Sequence, residues 1–352
     1  MTAPPPLATD ALIIGAGPGA LFLVFELGLQ GLRAQVLDVL PQAGGQARQL
    51  YADTPIYDIP GLPRCTGREL TERLLAQAAP FAPAFHFDQL VSGLAWDESQ
   101  ARWRVGTHRG LRFAARAVFI ATGVGAFLPR LPKVEGLEAL LGTQVLAETP
   151  PAPALGGQRV VVLGDGDEAL DGATALALRD ADRPASVTLA HRRDAFSASA
   201  DAVARMRAAC AQGRLRFATG QITGWSAGAA ARLAALELTP PDGPAEWLPA
   251  DALLVLQGLS PRLGPLANWG LAMQRKQLSV DTATFACGAP GLYAIGDAIG
   301  YPGKRKLILS AFHEAALAAF GAAEYLAGQK LPLEYSTSSA RLHRLLGVEH
   351  PG

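Results

Sequence analysis

Ala11-Leu12-Ile13-Ile14-Gly15-Ala16-Gly17-Pro18-Gly19-Ala20 is the stretch on which the fold of this chain turns. Four apolar residues, a glycine cluster and a helix-like run from Ala20 to Leu29 predict a strand, a tight turn and a helix. A second apolar run, Ala34 to Leu37, predicts the next strand of a parallel sheet. Gly15, Gly17 and Ala20 carry the G-x-G-x-x-G/A spacing, with Pro18 and Gly19 between them. In that setting the first glycine permits the turn, the second admits a pyrophosphate, and the small third residue lets helix and strand pack closely. Asp38 ends the second strand, roughly twenty residues on, where an acid holds the ribose hydroxyls of an adenosine.

The same unit returns. Arg159 to Gly164 predicts a strand, Glu168 to Arg179 a helix and Ser186 to Ala190 a further strand, around the loop Gly164-Asp165-Gly166-Asp167-Glu168-Ala169. Here the second strand ends in His191-Arg192-Arg193. Adjacent guanidiniums suit a 2′-phosphate that an acid would repel, so this site is expected to take NADP(H) rather than NAD(H). Against it stand Asp165, Asp167 and Glu168, carboxylates that favour a helix N-terminus but repel an incoming pyrophosphate. Two nucleotide-binding folds therefore share one chain.

Phe85 to Phe113, with Trp96 and Trp103, predicts an antiparallel meander, and Ala117 to Thr122 a separate strand. The Pro-rich run from Thr149 to Pro153 is the expected hinge. Beyond the second unit come a strand from Asp251 to Leu256, the apolar run Leu292 to Asp297 and a long helix from Leu307 to Leu326. The expected class is α/β, with two Rossmann-like dinucleotide-binding domains, one inserted in the other. The outer domain takes residues 1–122 and 283–352, and the inserted one 123–282.

A length of 352 residues suits two domains with a core each. Acidic and basic residues balance at 31 each, so no global field drives the chain to nucleic acid or an anionic membrane. Met1 to Thr9 has no basic residue and no long apolar run, unlike a signal peptide, and no apolar stretch approaches a membrane span. A cytoplasmic location is expected. Cys65, Cys210 and Cys287 are scattered and suit neither a disulfide framework nor a metal site.

Two further segments point to flavin: Gly44-Gly45-Gln46, a turn beyond the ribose acid, and Gly296-Asp297, expected to head the last helix with Asp297 accepting from a ribityl hydroxyl. With GAGPGA, PQAGGQ, the Ala121-Thr122-Gly123 turn, HRRD and GLYAIGD, the chain resembles the thioredoxin reductase-like group of two-domain FAD and NADPH flavoproteins. Thioredoxin reductase carries a redox-active Cys-x-x-Cys before its second glycine loop, whereas Gly142 to Gln158 holds no cysteine here. Leu50-Tyr51, the run Ile56 to Gly61, Gly125-Ala126-Phe127, Tyr301-Pro302-Gly303-Lys304, the stretch Ala311 to Ala315 and the tail Tyr335 to Ser338 are similar to the ferredoxin/flavodoxin–NADP+ reductases of that fold.

That resemblance implies bound FAD, NADPH/NADP+ as substrate, ferredoxin or flavodoxin as partner, and a homodimer. It implies that FAD is contacted by the first glycine loop, Asp38, Gly45, Gln46, Val91, Ala121, Gly123, Phe127, Gly296, Asp297 and Thr337. Tyr51 would stack on one flavin face, and Tyr335, contributed across the dimer, would cover the other. Gly164, Gly166, Asp167, Glu168, His191, Arg192 and Arg193 would line the NADP site. Three residues depart from the family pattern: Asp165 and Glu168 replace a Gly and a Ser, and Ser197 stands where a phosphate-binding Arg often follows. Chemistry centred on flavin requires no acid, base or nucleophile, although His313 and His343 are candidate proton donors. Lys304-Arg305-Lys306 is the local basic patch for an acidic partner. Two alternatives stand beside this reading: a low-molecular-weight disulfide reductase, for which Cys65 is the one thiol in a suitable order, and a non-enzymatic FAD-binding module with a weakened NADP site.

Overall fold

The computed structural model describes residues 5–151, 153–262, 266 and 269–349. It divides into two compact units, Met1–Ala126 with Pro261–Gly352, and Phe127–Ser260.

In the first unit the strand Leu7–Ile14 lies between Ala34–Leu37 and Arg112–Ile120, parallel to both. Ala84–His86 extends the parallel sheet beyond Ala34–Leu37, and Leu292–Ala294 pairs in parallel with Arg112–Ile120. The strands Val91–Asp97 and Arg102–Thr107 complete the sheet as an antiparallel extension. This corrects the expected meander in two ways. Its first residues, Phe85 and His86, belong to the parallel edge strand Ala84–His86, and Arg112–Ile120 is one continuous strand that serves both the meander and the parallel sheet. Trp96 does face Trp103 across the hairpin, with ring centroids 5.4 Å apart.

The helix Pro18–Leu29 starts with Pro at its first turn, where the missing N–H costs nothing. It buries Ala20, Leu21, Leu23, Val24 and Leu27. Each large apolar side chain so buried contributes about 1.5–3 kcal/mol. The Ile308–Ala327 helix buries Ala311, Ala315, Ala318, Ala319 and Ala322, a small-residue face that permits close approach, and ends at Gly328 with φ 69°. The tail is anchored rather than loose: Ala340–Leu346 is helical, Leu342 and His343 are buried, and Arg341 donates to the Leu29 carbonyl.

The second unit has a parallel sheet in the order Val145–Leu146, Ala252–Val255, Arg159–Leu163, Ser186–His191, Arg216–Thr219. The helices Asp167–Ala177 and Ala200–Ala211 each bury an apolar face in its core. An antiparallel sheet of Gln221–Ala227, Leu233–Thr239 and Glu246–Pro249 closes a second core with Leu236, Leu238 and Leu248.

The seams differ from those expected. The chain rejoins the first unit at Pro261, because the hairpin of Met273–Gln274 and Gln277–Ser279 pairs with Ile299–Gly300 and places Leu278 in that unit's core. The Pro-rich run lies within the second unit, away from either seam, and Thr149 sits close to Gly172 of the Asp167–Ala177 helix. Ala152 of that run falls outside the described residues. Among the described residues no helix is long and apolar enough to cross a membrane.

Candidate functional sites

The three glycines of the first loop are required for three different reasons. Gly15 has φ +111°, and a Cβ added there would stand 2.4 Å from the Ala121 carbonyl oxygen. At Gly19 a Cβ would stand 2.8 Å from Cβ of Ala311, so this glycine brings the Ile308–Ala327 helix close. Over Gly17 an added Cβ would meet no atom within 4 Å, which leaves open space at the N-terminus of a helix with no side-chain cap. Uncapped amides facing open space suit a phosphate.

Other segments converge on that space. The Gly44 amide donates to the Ala16 carbonyl, and a Cβ on Gly45 would lie 3.0 Å from Cα of Gly17. Gln46 places its amide nitrogen 3.3 Å from where a Cβ on Gly123 would be. The Ala121 amide donates to the Ile14 carbonyl, and the Ile295 amide to that of Ile120, which ranges the turn of Gly296–Ala298 beside the same strand ends. Thr122 Oγ1 is buried there without a hydrogen-bond partner among the described residues. Its position in the Ala-Thr-Gly turn was the available signal for a residue that sequence reasoning passed over.

Asp38 is only 8% exposed. Its Oδ2 accepts from the Ala16 amide at 2.6 Å and its Oδ1 from the Leu40 amide at 2.8 Å. Burial pushes its pKa up, and the amides of Leu40, Ala16 and Val39 draw it back. Each carboxylate oxygen retains a lone pair for a hydroxyl donor. The open cradle, the buried acid and the orphaned threonine hydroxyl together fit an adenosine diphosphate moiety.

Gly296 has φ +73°, and its amide donates to Oε2 of Glu314 at 2.7 Å. Asp297 is half-buried in the 3-10 turn beside it. The long helix begins only at Ile308, so Gly296-Asp297 does not head it as expected; a short strand and a loop intervene. Tyr51 and Tyr335 are 50% and 64% exposed, rings free to be covered. Val91 is buried in the core, Thr337 is exposed, and the Phe127 side chain lies outside the described residues.

Of the proton-donor candidates, His313 is exposed, while His343 is buried with Nε2 2.6 Å from the Ser336 carbonyl, where it secures the tail. The basic patch needs correction too. Lys304 turns inward to an ion pair with Glu314, leaving Arg305 and Lys306 exposed. Cys65 is buried, and burial raises its thiol pKa, with Glu69 adding to the effect, which disfavours the thiolate a nucleophile needs. Burial pushes Cys287 up to about 12.

In the second unit a Cβ on Gly164 would stand 2.4 Å from the Leu256 carbonyl oxygen and 2.5 Å from Cβ of Ala169. Gly166, the N-cap of the Asp167–Ala177 helix, has only Ser197 Oγ nearby, at 3.8 Å from an added Cβ. The segment 197–199 folds onto this loop. The amides of Ser197 and Ala198 donate to the Asp165 carbonyl, and the amide and hydroxyl of Ser199 donate to Asp167 Oδ1 at 2.9 and 2.6 Å. Those Ser199 bonds lower the Asp167 pKa and disperse its charge. Asp165 Oδ2 lies 3.9 Å from His191 Nε2. Among the described residues Asp167 is the one member of the acidic trio whose carboxylate is hydrogen-bonded.

His191 does not present itself with the arginines. It is 6% exposed, and burial lowers its pKa, with Asp165 opposing and Arg192 and Arg193 assisting. Arg192 and Arg193 are exposed. His191 is the last residue of the strand Ser186–His191, which is buried from Val187 on, whereas Arg192 and Arg193 lie beyond it in an exposed bend, so the positive charge at this strand end rests on the two arginines.

Residues 9–316 match the pyridine nucleotide-disulphide oxidoreductase family. A ferredoxin–NADP reductase of Paracidovorax citrulli is 53% identical, over 98% of each chain. Another, of Verminephrobacter eiseniae, is 51% identical over 97% of each. A thioredoxin reductase from Gloeobacter violaceus shares the fold, with a TM-score of 0.54 at 23% identity over 94% of this chain and 98% of its own. A glycine cradle with a buried acid, a second with exposed arginines, and this extent of identity carry one conclusion: the chain belongs to the ferredoxin–NADP reductase family of the pyridine nucleotide-disulphide oxidoreductases, on a thioredoxin reductase-like fold.

Proposed function

We propose that this protein is an FAD-dependent ferredoxin (flavodoxin)–NADP+ reductase, exchanging hydride with NADPH and single electrons with an iron-sulfur protein or flavodoxin. The carrying observation is the pair of glycine loops with opposite chemistry at their strand ends: buried Asp38 bonded to the loop amide of Ala16, and exposed Arg192 and Arg193.

FAD, when bound, supplies the conversion between two-electron and one-electron transfer. The protein supplies position. The uncapped amides of Gly17 and Gly19 hold a pyrophosphate, Asp38 accepts from ribose hydroxyls, and Asp297 accepts from the sugar chain. Gly45, Gln46, Ala121, Gly123 and Thr122 close the cradle. Tyr51 and Tyr335 offer exposed rings for the two faces of a planar ring system, Tyr335 from the partner in a homodimer. Val91, Phe127 and Thr337 are assigned to the cofactor by resemblance alone, as is the dimer.

In the second unit Gly164 and Gly166 open the loop to a pyrophosphate. Arg192 and Arg193 select the 2′-phosphate, and the Ser199 bonds to Asp167 lessen the repulsion its carboxylate exerts on the incoming nucleotide. The disulfide-reductase alternative is disfavoured by the buried Cys65. The protein acts in the cytoplasm with ferredoxin or flavodoxin, docked where Arg305 and Lys306 rather than Lys304 supply positive charge.

Anaerobic titration with NADPH and, separately, NADH tests this reading through the visible flavin absorbance. Fast bleaching by NADPH and much slower bleaching by NADH is the expected result. Absorbance unchanged by both nucleotides would overturn the reductase assignment in favour of a non-enzymatic flavin-binding module.

A further inference from the structure

Glu314 is 0% exposed, a carboxylate on the otherwise alanine-lined inner face of the Ile308–Ala327 helix. Burying a carboxylate costs several kcal/mol unless it is paired and fully hydrogen-bonded. Here both oxygens are engaged by one loop. Oε2 accepts from the Gly296 amide at 2.7 Å. Oε1 accepts from the Tyr301 hydroxyl at 2.8 Å and from Lys304 Nζ, whose side chain is 6% exposed. Burial pushes Tyr301 up to about 12, so its hydroxyl remains a donor. Lys304 Nζ also lies 5.7 Å from the Tyr301 ring centroid.

Glu314 thus ties three points of the 296–304 loop to one helix, and the first of them is the positive-φ residue beside Asp297. The same helix touches the first glycine loop through Ala311 and Gly19, one turn earlier. An apolar residue at 314 would fill the space without directing the Gly296 amide. We infer that Glu314, with Lys304 and Tyr301, is a positioning residue that sets where Asp297 presents its carboxylate, and so governs how firmly the flavin's sugar chain is held. The inference rests on the flavin reading above and assigns Lys304 a structural charge instead of a docking one.

FAD dissociation constants of the apoprotein, read from flavin fluorescence, and hydrogen exchange across 296–304 in the flavin-free chain test it. Glu314→Gln and Lys304→Met are each expected to weaken FAD about ten- to a hundredfold, as loss of a charge-assisted bond does. Both are expected to speed exchange at 296–304. The double variant, with no charge left unpaired, recovers part of both losses. Combined with Asp297→Ala, Glu314→Gln adds less than about twofold, since its effect passes through Asp297. Unchanged FAD affinity in the single variants, or full additivity with Asp297→Ala, would overturn the inference. Should either single variant fail to fold, Tyr301→Phe makes the same test at about threefold, the smaller loss of a neutral bond. Failure of the flavin reading shows separately, as absence of FAD binding by the unmodified chain, and exchange at 296–304 then decides: unaltered rates in the variants reject the role.

Discussion

The two glycine loops share a backbone device and differ in everything that selects a ligand. In the first, Asp38 is buried and bonds the loop itself through the Ala16 amide. In the second, the corresponding strand end turns His191 inward as a neutral ring and leaves two arginines in solvent. The first loop carries no acid, whereas the second carries three, two of them engaged by Ser199 or approached by His191. The spacing of glycines is common to both loops, and the strand-end side chain with its burial is what differs and underlies the nucleotide proposed for each.

The backbone similarity itself is open to attack. A Cβ at Gly15 or Gly164 meets a carbonyl oxygen at 2.4 Å in each loop, but only Gly15 combines this with a positive φ. Gly15→Ala is expected to cost about 3–5 kcal/mol and Gly164→Ala about 1–3 kcal/mol, measured by chemical denaturation. Equal losses would show that the turn of the first loop is no more strained than that of the second.

Asp38→Ala comes next, removing a charged acceptor and leaving the buried Ala16 amide unsatisfied. About 2–3 kcal/mol of stability should be lost, with FAD binding weakened about a hundredfold, read by denaturation and flavin fluorescence. An effect confined to NADPH would break the assignment of the two loops.

Arg192→Ala and Arg193→Ala should each raise the KM for NADPH about ten- to a hundredfold, as expected for a bond worth ~1.5–3 kcal/mol, while kcat and the kinetics with NADH stay unchanged. Steady-state rates with both nucleotides check this, and an equal loss for NADH would remove the 2′-phosphate role.

The smallest effect is a pH slope from His191. Burial lowers its pKa from 6.5, so below that value the unfolded chain binds a proton that the folded chain resists. Stability is full above about pH 6.5 and declines as pH falls below it. Urea midpoints at about pH 5.5 and 7.5 should differ less in His191→Gln; an unaltered slope would mean that the ring is already solvated.

Both glycine loops were legible because their demands are local. Gly15 needs its φ and Gly17 its missing side chain whatever surrounds them, and each follows a strand that can be recognised from four apolar residues. Local pattern failed where burial depends on a distant partner. Phe85 and His86 have the composition of a meander strand but pair in parallel with Val36 and Leu37. Lys304 carries the sequence signal of a surface charge, yet it faces a carboxylate ten residues on that sits on another element. The proline run has the chemistry of a hinge, but packing holds it within one unit.

Sequence by itself determined the two-fold repetition of the glycine-loop unit, the acid at Asp38 closing the first unit's second strand, the arginine pair at 192 and 193 and the family resemblance, since each follows from residue type at a short, fixed spacing. Tertiary structure alone decided the seams at 126 and 260, the inward turn of His191, the Ser199 bonds to Asp167 and the buried Glu314–Lys304 pair. The physical reason is that a side chain's charge state and exposure are set by what packs against it, and those neighbours sit on other elements, 10 residues away for Lys304 and Glu314 and 32 for Ser199 and Asp167.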